Sequence, residues 1–301
     1  IMNKKFLDLG YQPLANKYSK KYTKLSLKKD ELYKLIVGFN TKTKMVSISK
    51  RIPSEMMFTN NYPYRSSMSE TMRSSFYKLS LEIKKKFKPK KILEIGSNDG
   101  ALIKNFNKND VIGVEPCKNL AQITKKMGYL TYNDYWTHPL AKKIKIKNKK
   151  IDLIYSANTL THISNLNEVF KSITYLLSNK GILIIEDPSL LECIKKNSYD
   201  QFYNEHIYLF SAISVKGLIK TFNLEIFDIK NLETHGGTLR YYIKRKSNRT
   251  IPISKNVNKQ IKKEKNFGLD KFSRYQKFSK KVQLSKIKLL NILNKLKNQK
   301  K

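Results

Sequence analysis

Cysteine is almost missing from this chain, with only Cys117 and Cys193 among 301 residues. Two thiols cannot form a disulfide framework or a Cys-rich zinc site, so a reducing compartment is the simpler setting. Long apolar runs are missing too. No stretch reaches the roughly 18 residues of a membrane span, and the opening "IMNKKFLDLG" lacks the apolar core of a signal peptide. The sequence therefore predicts a cytoplasmic protein that makes no use of a membrane. Acidic residues are scarce: 23 Asp and Glu stand against 61 Lys and Arg, a net charge of +38 with pI near 10.0.

Such a charge normally points to nucleic acid. The lysines, however, occur almost everywhere ("KKYTKLSLKK", "KKKFKPKK", "KKIKIKNKK"), with few aromatics among them to stack on bases and no zinc-finger or RNP-like motif. The reading adopted is that solvent-facing positions have filled with Lys, Asn and Ile, as an A/T-rich coding sequence would dictate. Nonspecific affinity for polyanions is still expected. Hydrophobic residues make up 40% of the chain, ordinary globular usage, which excludes wholesale disorder.

Three regions follow from the pattern. Residues 1–88 are mixed α+β, with a hairpin through "LIVGFNTKTKMVSI" and the serine-rich "NYPYRSSMSETM". Residues 89–250 alternate strands and helices. "KILEI", "VIGVE", "DLIYS" and "GILIIE" read as buried parallel strands, and "LEIFDIKNL" with "TLRYYIKRK" as a final antiparallel pair. Residues 251–301 carry 16 Lys and Arg against 2 acids. Phe278, Val282, Leu289, Ile292 and Leu296 form a helical stripe there, which predicts one long basic amphipathic helix wanting a partner surface.

"KILEIGSNDGALIKNF" places a strand directly before a glycine turn. Glycine lets backbone approach a ligand at the carboxyl edge of a parallel sheet. Gly96 and Gly100 flank Ser-Asn-Asp, so the G-x-G-x-x-G spacing of dinucleotide binding fails, and no Gly-Lys-Ser/Thr supports a P-loop. Glu94 would repel a pyrophosphate but suits a cationic amino-acid end. Glu115 closes the next strand about 20 residues on, where a carboxylate accepts ribose hydroxyls. A nucleoside with a cationic amino-acid end is S-adenosylmethionine.

The motifs "LDLGYQPLAN", "NYPYRSSMSETM", "ILEIGSNDGALI", "VIGVEPCKNLA", "NTLTHISNLNEVF", "YNEHIYLFS" and "THGGTLR" occur in one order and spacing. From about Phe6 to Lys244 the chain thereby resembles the sugar-nucleotide C-methyltransferases of deoxysugar biosynthesis. The resemblance implies a class I methyltransferase core, α/β with a Rossmann-like sheet flanked by helices, preceded by a zinc-binding region and followed by a further C-terminal domain. It implies that Gly96, Asn98, Gly100 and Glu115 hold S-adenosylmethionine, with Asn158 beyond the fourth strand. Tyr203, Glu205 and His206 would supply the catalytic base and its supports, and His235 to Gly237 would lie beside the sugar of a sugar-nucleotide substrate.

The chemistry suits these residue types. Methyl transfer to carbon needs a carbanion, available by removing a proton beside a keto group, and an imidazole in reach can take it at neutral pH. Glu205, or another carboxylate, could fix the imidazole tautomer, while Tyr203 or His235 could stabilise the enolate oxygen. His138, before Pro139, reads as structural, and His162 is open between the two roles.

Two departures from the family pattern stand out. Where a second Cys-x-x-Cys should fall the chain reads "GFNTKTKM", so no metal is expected, and the N-terminal region should fold through packing of Phe39, Met45 and Phe58. The chain also stops where the C-terminal domain would begin. Either a separate protein completes the site, or the substrate is bound differently, or activity is lost. Three functions stay in view: a methyltransferase acting on carbon of a keto-sugar nucleotide, or on a sugar oxygen or nitrogen; a noncatalytic scaffold; and, on charge alone, an RNA methyltransferase.

Overall fold

The computed structural model describes residues 3–18, 32–148 and 150–299; the stretch "KKYTKLSLKK" lies outside them. The elements run β1 (Lys4–Gln12), β2 (Tyr33–Phe39), β3 (Val46–Ile48), α1 (Ser54–Met57), α2 (Glu70–Lys86), β4 (Ile92–Ile95), β5 (Val111–Val114), α3 (Lys118–Lys126) and β6 (Leu130–Tyr132). After them come α4 (His138–Asn148), β7 (Ile151–Ala157), α5 (Leu166–Leu176), β8 (Leu177–Pro188), α6 (Leu190–Lys196), β9 (Tyr208–Leu209), α7 (Ala212–Lys220), β10 (Leu224–Leu232) and β11 (Thr238–Arg245), then α8 (Lys255–Phe267) and α9 (Phe272–Gln299).

Seven strands form the main sheet in the order β10-β11-β8-β7-β4-β5-β6. The five from β8 to β6 are parallel, while β11 and β10 run antiparallel at one edge. All four residues of β4 and of β5 are buried, because helices cover both faces. Period-two alternation divides the core. Leu93, Ile95, Ile112 and Ile154 face α4, α5 and α7, whereas Ile92, Val111, Leu153 and Tyr155 face Phe76, Leu79 and Ile83 of α2. The chain reverses its winding direction between β4 and β7, and that switch point opens a crevice at the carboxyl ends of the strands. This strand order is that of a class I methyltransferase. The three-residue edge strand β6 was not read from sequence, since it is too short to show a pattern.

A second sheet, β1-β2-β3-β9, is assembled from both ends of the core. β9 pairs with β3 through Val46 with Leu209 and Ser47 with Tyr208, so the segment just after Glu205 and His206 is stitched to the N-terminal region. The turn from β2 to β3, the place where thiolates were sought, is closed by the Asn40 carboxamide, whose Oδ1 accepts from the backbone N–H groups of Lys42 and Thr43 at 3.0 and 2.9 Å. Phe39 and Met45 are buried as expected, yet in different clusters: Met45 joins the main core and Phe39 stacks on Tyr275 at 4.4 Å. Phe58 instead lines the crevice. The expectation of one packing unit is corrected, because a thin sheet between two bodies gives its two faces to different cores.

The C-terminal region is two helices rather than one. Gly268 (φ 88°) ends α8 in the left-handed conformation that favours glycine. On α8 the buried Glu264 accepts from the N–H groups of Ala212 and Ile213, at 2.9 and 3.0 Å, which seats a carboxylate at the positive end of α7. On α9 the expected stripe divides. Tyr275, Phe278 and Val282 are buried against Phe6, Val37 and Phe39, while Leu289, Ile292 and Leu296 are exposed. Among the described residues, no helix is long and apolar enough to cross a membrane.

Candidate active site

A cavity of about 540 Å³ lies over the carboxyl ends of β4, β5, β7 and β8, within the size range of small-molecule sites, about 300–1,000 Å³. Its floor is the loop after β4. Gly96 has φ +73°, and a Cβ there would fall 2.2 Å from Oγ1 of Thr159; Gly100 has φ +82°, and a Cβ there would fall 2.9 Å from Cγ2 of Thr124. Both positions therefore demand glycine on two counts, backbone conformation and neighbouring side chains.

Glu115 stands just past β5. Its Oε2 accepts the N–H of Asn98 and its Oε1 the N–H of Cys117, each at 2.8 Å, so the acid ties the glycine loop to the start of α3. Burial raises its pKa, and those two N–H groups act against the rise. A carboxylate carries about four acceptor directions, which leaves two for hydroxyls. Glu94 is buried with Oε2 unpartnered. Desolvation first, then the nearby Glu115, Asp99 and Glu186, push it well above the usual carboxylate range. The side chain of Asn98 turns away from the cavity centre: its Oδ1 accepts from Ser66 N–H at 2.9 Å and its Nδ2 reaches the Tyr64 carbonyl at 3.3 Å. With Asp99 on Ser67 at 2.5 Å, it clamps the "NYPYRSS" strap over the glycine loop. Asn158 (φ 49°) lines the same cavity with Oδ1 buried and unpartnered, and its Nδ2 lies 3.3 Å from Nε2 of His235.

The opposite wall carries the Tyr-Asn-Glu-His segment. His206 is buried, its Nδ1 is 2.8 Å from the Gln201 carbonyl and its Nε2 is 2.9 Å from the Tyr203 hydroxyl. A carbonyl only accepts, so Nδ1 bears the proton and Nε2 accepts from Tyr203. Burial lowers the His206 pKa to about 4, against the opposing effect of the Gln201 carbonyl. Glu205, adjacent in sequence, does not fix the imidazole tautomer; Gln201 does. The Glu205 carboxylate instead accepts from Asn16 Nδ2 at 2.8 and 3.0 Å and from the Tyr62 hydroxyl at 2.9 Å. His235 lines the cavity, with its pKa lowered by burial.

The tertiary structure thus gathers Glu94, Gly96, Asn98, Glu115, Asn158, Tyr203, His206 and His235 around one cavity; Gly100 and Glu205 do not line it, Glu205 being joined to it through Asn16 and Tyr62. It also adds residues that the sequence did not assign to the site. Asn16 and Tyr62 lie within two of the quoted motifs, and Phe58, Tyr135 and Trp136 complete the apolar wall. His162 belongs here as well. It stacks on Phe58 at 5.5 Å and lies 5.1 Å from His206, with Nε2 buried and unpartnered. His138 lies away from the cavity, beside Tyr175 and Ser172.

A glycine-floored crevice at the switch point, with an acid closing each of two adjacent strands, defines a nucleoside-binding methyltransferase fold. Residues 64–229 match the family described as "Methyltransferase domain", and the chain belongs to that family. Residues 233–301 match the "C-methyltransferase C-terminal domain" family, so the segment read from sequence as a tail short of that domain falls within it. A curated relative, "C-methyltransferase NovU" of Streptomyces niveus, is 30% identical over 150 residues, covering 49% of this chain and 36% of that protein. The match thus spans little more than a third of the relative's length. Among solved structures, the plantazolicin methyltransferase BpumL in complex with SAH is 14% identical with TM-score 0.47, over 64% of this chain and 91% of that one. A methyltransferase from Clostridium acetobutylicum ATCC 824 is 14% identical with TM-score 0.44, over 57% and 92%.

S-adenosylmethionine is the methyl donor of this family. The residues present fit it, since the unpartnered buried oxygens of Glu94 and Asn158 are acceptors and the donor molecule brings an ammonium, two ribose hydroxyls and an amino group.

Proposed function

We propose that this chain methylates carbon of a keto-deoxysugar nucleotide through an enolate. The observation that carries the reading is the buried Tyr203–His206 pair, whose imidazole is held neutral with Nε2 turned to the Tyr203 hydroxyl in the wall of the donor cavity. Glu115 takes the ribose, Gly96 to Gly100 and Glu94 take the amino-acid end, and Asn158 contributes its free Oδ1. When bound, S-adenosylmethionine supplies an electrophilic methyl for the nucleophilic carbon.

The chain's own part is to create that carbon nucleophile. The Tyr203 oxygen takes the proton beside the keto group while handing its own to Nε2 of His206, and the C–H electron pair moves onto the keto oxygen. An imidazolium and an enolate result, so charge is conserved. His235, which lines the same cavity, is assigned to the enolate oxygen. Once the methyl has been transferred the proton leaves the imidazolium for solvent, a loss that burial favours because it disfavours the charged imidazole.

The test is incubation of the purified protein with a keto-deoxysugar nucleotide and methyl-13C donor, followed by correlation NMR to locate the new methyl. Attachment to carbon is expected. A methyl on oxygen or nitrogen overturns the carbon reading, and no transfer to any such nucleotide overturns the substrate class.

A further inference from the structure

Asn16 carries the segment after β1 to the wall formed by the Tyr-Asn-Glu-His turn. Asn16 lies beyond β1, on a stretch anchored by buried Leu14, which packs with Ile52 and Met57. From there its amide spans to Glu205, 189 residues further along the chain, and donates to both carboxylate oxygens. It also lies 3.1 Å from the Tyr62 oxygen, which in turn donates to Oε2 of Glu205. The three groups close a ring of hydrogen bonds with one orientation. Only the amide nitrogen can face a carboxylate and a tyrosine oxygen that is donating elsewhere, so the carboxamide cannot be flipped.

We propose that Asn16 is a positioning residue for Glu205, its amide holding both carboxylate oxygens in one orientation just behind the cavity wall, so that the N-terminal region completes the active site. What the carboxylate then contributes to turnover rests on the function proposed above; the clamp itself does not.

Glu205 is 1% exposed, and its desolvation favours the protonated form. The titratable groups facing it are Tyr62, Tyr203 and Cys117, which carry no positive charge in any state. Burial raises the Glu205 pKa, and hydrogen bonds to the charged form oppose that rise, Asn16 providing contacts to both oxygens. Removing the amide leaves Tyr62 alone against desolvation. Converting it to a carboxylate goes further, since two acids in contact must share a proton.

The measurement is carbon-13 NMR of glutamate side-chain carboxyls in the full chain, with the Glu205 resonance identified by its loss in Glu205→Gln. In Asn16→Ala, Glu205 should bind its proton about tenfold more tightly, and in Asn16→Asp more tightly still. Affinity for S-adenosylhomocysteine should be unchanged in both, which also reports that the cavity is folded. Should Asn16→Ala fail to fold, the isosteric Asn16→Asp gives the same reading. A Glu205 titration that matches wild type in a folded Asn16 variant overturns the clamp. The acid limb of the pH–rate profile gives the separate readout: if Glu205 titrates higher in NMR and the limb stays put, the clamp stands and the role of Glu205 in the proposed reaction falls.

Discussion

The Tyr203 hydroxyl lies 2.9 Å from Nε2 of His206, three residues further on, while the Gln201 carbonyl holds Nδ1 at 2.8 Å. One imidazole is thereby fixed in a single tautomer by groups from its own loop. In the proposed reading donor binding and proton removal fall to different residues, and the two halves can be tested apart.

His206→Ala should lower turnover by about 100-fold or more, the scale of losing a positioned general base. Tyr203→Phe should lower it comparably, because the proton then has no oxygen to pass through. Neither change should alter S-adenosylhomocysteine affinity by titration calorimetry. An active His206→Ala enzyme would remove His206 from the base role.

Glu115→Ala should weaken S-adenosylhomocysteine binding by at least tenfold. The carboxylate holds the N–H groups of Asn98 and Cys117 and, in the proposed reading, the ribose, and hydrogen bonds to a charged group contribute about 1.5–3 kcal/mol each. Calorimetry of the wild type and variant decides it, and equal affinities would move the ribose elsewhere.

Binding of the donor should release a proton from Glu94. Burial beside Glu115, Asp99 and Glu186 raises its pKa in the free protein, and an ammonium group favours the ionised form. Affinity should therefore rise with pH up to the free-protein pKa and level off above it. Calorimetry in two buffers of unlike ionisation heat measures the release directly. Identical heats in both, with affinity flat from about pH 6 to pH 8, would separate Glu94 from the ligand.

Phe278→Ala should destabilise the protein by about 3–5 kcal/mol, the usual cost of emptying a buried phenyl site. Phe278 is 1% exposed against Phe6 and Phe202, whereas Ile292, two heptads along the same helix, is 56% exposed. Ile292→Ser should change the denaturant midpoint little. Equal losses for the two would mean that the far half of α9 is covered in solution.

Much of the fold was legible because it rests on local patterns. β4, β5, β7 and β8 read as parallel strands since each is a β-rich run buried on both faces, and Gly96 and Gly100 read as a ligand turn because positive φ admits few other residues. The edge strand β6 was not legible: its three residues gain their conformation from pairing with β5, not from their own sequence. Residues 251–301 read as one helix because the apolar stripe, which lies wholly beyond Gly268, carries no sign of the break before it; the left-handed conformation of Gly268 is a backbone property that periodicity does not register.

The candidate site divides in the same way. Sequence alone determined which chemistry the chain holds, an acid at each of two strand ends and a Tyr-Asn-Glu-His segment, because those residues are close along the chain. Only tertiary structure decided their partners. Glu205 and His206 are neighbours in sequence, yet they sit in a tight turn, closed by His206 N–H on the Tyr203 carbonyl and Ile207 N–H on the Glu205 carbonyl, each at 3.0 Å, and one meets Asn16 and Tyr62 while the other meets Tyr203 and Gln201. Contacts spanning 189 and 143 residues follow from sheet pairing and helix packing that bring distant segments together, and no local pattern encodes them.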